Sequence, residues 1–275
     1  MAQSGRWGRA ELFFRRRGPR TILHRNYTTL PAQVIRPFYW EGSGRAYLYL
    51  LTPTGGMLGG DRLDIHIVLG PHAQVCLTTA SATKVHPSTA ASAEQSLAIE
   101  LGPGSSLEYL PEPTILFHAA HWWQRTVVRR AVDSRLLLLE GWSAGRVAQH
   151  EVFQFSSLET TIEVYTEERL SLFDRMRICP AAYPYQALGL WEGRPHLLTM
   201  YLLQETHPVD VWLRAIQEEL SADLVLAGVS RLEAPGIAAR VLAGEAETLT
   251  RVTQTLWQKI REGLWGEPWN PWRKL

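Results

Sequence analysis

Apolar and polar residues alternate along most of this chain with a period of two. Leu63, Ile65 and Ile67 alternate with Asp64, His66 and Val68, the mark of a strand with one buried face. The same pattern predicts strands at 11–14, 21–28, 45–51, 73–79, 96–101, 106–109, 114–117, 122–130, 136–140, 149–155, 159–167, 170–178 and 196–203. Turn-forming groups separate them: Gly70-Pro71, Gly102-Pro103-Gly104, Pro111-Glu112-Pro113 and Asp133-Ser134. A turn at about every tenth residue is an all-β signature of consecutive antiparallel strands.

Two stretches carry a helical period instead. Over 208–220, Val209, Trp212, Ile216 and Leu220 recur at steps of three and four. Over 246–262, Leu249, Val252, Leu256 and Ile260 do the same, with Gly263 as a C-terminal stop. The expected architecture is a single mainly β domain over 1–275, with a β body at 11–205 and 225–243 and a small helical element at 208–220 and 246–262. No internal repeat stands out.

Composition narrows the function classes. Of 275 residues, 45% are hydrophobic and 20% charged, which excludes general disorder. A formal net charge of +1 gives no reason to expect nucleic acid or an anionic membrane as partner. No apolar run is long enough to span a bilayer, and the N-terminus lacks a secretory apolar segment. Two distant cysteines, Cys76 and Cys179, exclude a CxxC site and point to a reducing, cytoplasmic compartment. Eleven tryptophans are unusual. Trp257, Trp265, Trp269 and Trp272 crowd the last twenty residues, either packed down or waiting to anchor a partner.

The most distinctive stretch is 51–85. Gly55-Gly56 and Gly59-Gly60 stand four apart, then Asp61 and Arg62, two strands, and Lys84. Paired glycines imply a tight, unusual loop. The stretch is neither a P-loop nor a dinucleotide fingerprint, because a strand follows the last glycine where either motif needs a helix. Gly141-Trp142-Ser143-Ala144-Gly145 is a formal G-x-S-x-G, with Asp174 and His196 or His207 in hydrolase order. Strand-like residues follow it, so the alternative to a serine hydrolase using Ser143 is a turn between two strands. For metal, His118 and His121 are the only close histidine pair, and carboxylates are scattered: Asp61, Glu108, Glu112, Glu140, Glu168 and Asp174. No closed four-ligand set emerges, so any ion held here is free to leave. Glu140 ends a leucine-rich strand, where it is exposed, paired with an arginine such as Arg146, or lining a wet channel.

These blocks together resemble one family. Pro53-Thr54-Gly55-Gly56-Met57-Leu58-Gly59-Gly60-Asp61 followed by Leu77-Thr78-Thr79-Ala80-Ser81-Ala82-Thr83-Lys84 is similar to the hallmark of the urease accessory protein UreD (UreH) family. The resemblance continues at 107–117, at Glu140 through Arg146, at Leu256-Trp257 through Arg261, and at Asn270-Pro271-Trp272-Arg273. Thr54, Ser81 and His118 depart from the family's usual residues.

The resemblance implies a long, superhelical, stacked-sheet body and a non-enzymatic maturation factor. It implies a scaffold bridging the urease apoprotein to a UreF-type helical protein and, through it, a UreG-type GTPase. No permanent cofactor is implied; Ni²⁺ passes in transit. Asp61 and Glu140 are then the expected passage-lining acids, with Glu112 and Glu168 as further candidates. Gly55, Gly56, Gly59, Gly60 and Lys84 shape the loop, and Trp257, Trp265, Trp269 and Trp272 are candidate docking residues. A generic β binding module without metal function is the other alternative.

Overall fold

The computed structural model describes residues 6–40, 42–89, 91–205, 209–221 and 225–269. Two sheets hold the strands. One runs, edge to edge, β14 (Arg169–Ile178), β13 (Ser157–Thr166), β11 (His121–Arg130), β8 (Ala93–Leu101), β5 (Arg62–Leu69), β1 (Trp7–Arg17) and β2 (Arg20–Thr29). The other runs β16 (Val225–Arg231), β17 (Gly236–Ala243), β15 (His196–Leu203), β12 (Arg135–Ser143), β9 (Ser106–Leu110), β6 (Gln74–Thr79), β4 (Ala46–Leu51) and β3 (Gln33–Val34). Short strands β7 (Thr83–Val85) and β10 (Thr114–Leu116) join beside β12.

The mainly β character and stacked sheets match expectation, but the strand direction differs. From β4 to β13 the chain crosses to the opposite sheet at nearly every turn, so neighbours within a sheet are alternate strands running the same way. The β5–β8, β8–β11 and β11–β13 pairs are parallel, as are β4–β6, β6–β9 and β9–β12. Each crossover that a parallel pair requires is here a strand of the other sheet rather than a helix. A Gly-Pro turn between sheets reads in sequence like a hairpin turn within one, which is why the pattern predicts antiparallel pairing. Antiparallel ladders are confined to the margins: β1–β2, β13–β14, β3–β4 and β12–β15–β17–β16.

The inward alternate residues form the main core, among them Leu12, Leu48, Ile67, Leu77, Ile99, Trp122, Leu138 and Trp142. A second apolar cluster fills the space between the outer face of the second sheet and two helices, α1 (Val209–Ser221) and α2 (Ala246–Lys259). Where side chains are described the helical periods hold: Ile216 and Leu220 of α1 and Leu249, Val252 and Leu256 of α2 are buried, and so is Ile260 just beyond; the side chains of Val209 and Trp212 lie outside the described residues. A π-helical turn, Ile260–Leu264, carries the chain past the end of α2. None of the described helices is long and apolar enough to cross a membrane.

One predicted strand is absent. Residues 149–155 follow a short 3₁₀ turn, Val147–Gln149, in an irregular path with Phe153 at φ 55°. Its aromatics still turn inward, Phe153 stacking on Tyr185 and meeting Trp191 edge-on, so the apolar pattern reported burial without a strand.

Candidate functional site

Register places a polar row in each sheet, facing across the core. In the first sheet Gln95, Gln124 and Thr160 are successive ladder partners. In the second, Glu140 pairs with Thr199 and Thr199 with Arg240. Residues directly opposite on a ladder share a face, and here that face is the interior of the sandwich.

Glu140, only 5% exposed, is the centre of the arrangement. Its Oε1 accepts hydrogen bonds from Gln124 Nε2 at 2.6 Å and Thr126 Oγ1 at 3.4 Å, and its Oε2 from Thr160 Oγ1 at 3.2 Å. The Gln124 amide oxygen is itself held by Trp122 Nε1 at 3.3 Å and Gln95 Nε2 at 3.4 Å. All the donors to Glu140 are neutral. Burial therefore lifts its carboxyl to about 7, against the lowering effect of these bonds and with a further push from Asp174. Arg146, the partner considered from sequence, pairs instead with Glu151, whose other oxygen caps the His118 N–H at 2.6 Å.

A cavity of about 30 Å³ adjoins Glu140, room for a water molecule. Buried Gln124 and Tyr109 line it together with half-buried Gln95, Thr52, Thr79, Thr83 and Glu112. On the outer face of the same sheet, a larger pocket of about 450 Å³ lies beneath α2, lined by the apolar Leu110, Leu139 and Leu198 of the sheet and Leu249 and Trp257 of the helix. Pro111, Glu112 and Gly141 belong to the linings of both. The wall between them is thus one Pro-Glu-Pro segment packed on Gly141, where even a methyl group would press to 3.2 Å from Pro113.

The other acids expected to line a passage lie elsewhere. Asp61 closes the glycine loop: its Oδ2 accepts the Leu58 N–H at 2.8 Å, and it does not line the Glu140 cavity. That bond gives the Leu58 N–H an acceptor within the loop. Glu168 sits in the exposed turn between β13 and β14. Of the four acids, the structure brings only Glu140 and Glu112 to one cavity.

The glycine loop is a staple. Met57 is buried, donates its N–H to the Lys84 carbonyl at 2.7 Å, and accepts from the His86 N–H at 2.9 Å. Gly56 lies at φ +136°, with room for a Cβ only 2.5 Å from the Lys84 carbonyl oxygen; at Gly59 a Cβ would meet Ser88 Oγ at 2.0 Å. Gly55 has no such neighbour. Lys84 contributes its backbone, while its side chain is exposed.

Trp257 and its neighbours face inward, not outward. Trp257 is 4% exposed and its indole N–H bonds Glu108. Trp265 donates to Gln204 Oε1 at 2.8 Å, and Trp269 meets Trp257 edge-on; Trp272 lies outside the described residues. The reason is a buried charge cluster that sequence reading missed. Tyr47, Cys76 and Glu108 are ladder neighbours on the outer face of the second sheet. Glu108 lies 2.8 Å from Arg45 and 3.9 Å from Arg261, all three side chains fully buried. Glu267 reaches Arg45, Arg135 at 2.8 Å and Arg261 at 3.6 Å. Burial opposes the charge on Arg45, but Glu108 and Glu267 outweigh it and hold its pKa above the ordinary value. Residues from opposite ends of the chain meet here, which no local pattern reveals.

Ser143 ends β12 with its hydroxyl donating to the Gly145 carbonyl at 3.0 Å. His196 is its ladder partner, but no helix springs from the serine, and Asp174 is engaged by Tyr201 and Arg240. A nucleophile elbow requires the strand-to-helix turn. Among the described residues no three of His, Cys, Asp and Glu come together as a metal-holding group.

Comparison with known proteins matches the model described as UreD urease accessory protein to residues 6–274. The chain is 34% identical over 263 residues to urease accessory protein UreD 2 of Brucella anthropi, covering 94% of this chain and 93% of that one. It is 32% identical over 266 residues to the UreD of Natronomonas pharaonis, covering 95% and 89%. To the UreD of Lachnoclostridium phytofermentans it is 29% identical over 258 residues, covering 92% and 93%.

Proposed function

Because this chain belongs to the UreD urease accessory protein family, and so serves urease maturation, we propose that it is a cytoplasmic, non-catalytic scaffold that guides Ni²⁺ into the apoenzyme. In this reading it bridges urease to a UreF-type protein and, through that, to a UreG-type GTPase. Nickel is its cargo, not a resident cofactor.

The observation that carries the reading is Glu140. A carboxyl buried among neutral donors costs stability that an apolar residue would not. It lies beside a water-sized cavity, and the row of amide and hydroxyl groups around it offers oxygen ligands. One carboxylate with neutral oxygens attracts a divalent ion without caging it, as a station in transit must. Glu112, on the wall shared with the pocket under α2, is the second such acid. Asp61 is assigned to holding the loop.

The test is a double replacement, Glu140→Ala with Glu112→Ala, in nickel-limited cells. Urease activation falls while this chain still co-purifies with urease and the other accessory proteins. Unchanged activation removes the two acids from the transfer.

A further inference from the structure

One long edge of the sandwich beside Glu140 is closed by side chains reaching across from opposite sheets. Asp174 lies on β14, the edge strand of the first sheet, opposite the buried Ile162. Tyr201 on β15 and Arg240 on β17 belong to the second sheet, and both donate to the same Asp174 oxygen, Oδ2. Arg240 ends the row that begins at Glu140 and passes through Thr199. Exposure rises outward along this line, from 5% at Glu140 to 23% for the Asp174 side chain and 56% for that of Arg240. The Asp174–Arg240 pair therefore marks the boundary between the polar interior and bulk water, with Tyr201, 2% exposed, just inside it.

The chemistry of the closure favours a joint that parts and re-forms. Burial and the neighbouring Asp174 both keep the Tyr201 phenol protonated, so it is a standing donor. The Asp174–Arg240 pair is half in water, where an ion pair contributes little net stability. Apolar residues of both sheets, Ile162 and the Tyr201 ring among them, share one core here. The Asp174–Arg240 pair and the Tyr201 hydroxyl are the polar contacts that close this edge toward solvent, so separating one ion pair and one hydroxyl bond loosens the edge over the row that leads to Glu140.

We propose that Tyr201 and Arg240 are positioning residues that hold Asp174 across the sheet edge as a side gate, sealing the Glu140 interior from solvent while an ion passes. This rests on the reading of Glu140 as an ion station. A staple that merely joined the sheets would affect unfolding alone, whereas a seal governs what solutes reach the interior.

The experiment uses the purified assembly of this chain with urease and its accessory proteins, activated with nickel and GTP while EDTA is titrated. With Arg240→Gln, half-inhibition occurs at roughly two- to fivefold less EDTA than with the unaltered chain, the factor by which losing one half-exposed ion pair raises an open population. Tyr201→Phe shifts it in the same direction, and thermal unfolding of the isolated chains checks that both variants are folded. If Arg240→Gln and Tyr201→Phe resist EDTA like the unaltered chain while Glu140→Gln blocks activation, the gate is wrong and the station stands. If Glu140→Gln also activates normally, the station fails and the gate with it.

Discussion

Replacing Glu140 by glutamine isolates the cost of keeping a carboxyl in this core. The amide has the same shape, can accept from Gln124 and Thr126 through its oxygen, and can donate to Thr160, whose hydroxyl turns to receive it. In the folded chain the carboxyl titrates near 7 rather than its ordinary 4.5, chiefly through burial. Because the folded pKa is raised, the unfolded chain releases its proton first. Stability contributed by the neutral group is therefore present below pH 4.5 and is lost as pH rises toward 7. Each pH unit in that window is worth about 1.4 kcal/mol, so the loss approaches roughly 3 kcal/mol by pH 8. Urea unfolding of both proteins at several values between pH 4.5 and 8 measures it, since every other titrating group cancels in the difference. The glutamine variant should gain on the unaltered chain by that amount across the window and then level off. Parallel stability curves would refute the claim that Glu140 is buried without a compensating cation.

Two further changes test the scaffold. Arg45→Met removes the nearer of the two arginines shared by Glu108 and Glu267, leaving Arg261 at 3.9 and 3.6 Å, and should cost roughly 3–5 kcal/mol in urea, the penalty for breaking a buried ion pair from one side. Gly56→Ala forces a side chain onto a φ of +136° and against the Lys84 carbonyl, and should cost about 1–3 kcal/mol or more. Gly55→Ala, with open space around it, should stay within about 0.5 kcal/mol; equal losses at both positions would show that the loop is not held as described.

Much of the site was legible without its being located. Glu140 stood out because an acid at the end of a leucine-rich strand has to be accounted for, and the glycine block stood out because paired glycines constrain backbone. What each does was not legible. Asp61 carries the same charge as Glu140 but caps a loop N–H, and Trp257 is buried against Glu108 where its position near the C-terminus suggested a docking anchor. The difference lies in partners that are remote in sequence, such as Gln124 and Thr160 for Glu140 or Arg45 for Glu267.

The amino-acid sequence by itself determined the strand periods, the two amphipathic helices and the family hallmark blocks, because alternation and 3.6-residue spacing are local properties of the chain. Only the tertiary structure decided that successive strands alternate between two sheets, so that parallel ladders replace hairpins. That alternation aligns Gln124, Thr160, Glu140 and Thr199 into facing polar rows, and it brings Arg45 from before β4 against Glu267 from beyond α2. Turn residues encode a reversal of direction but not which sheet receives the next strand. That choice follows from the apolar area buried between the sheets, a sum over the whole chain.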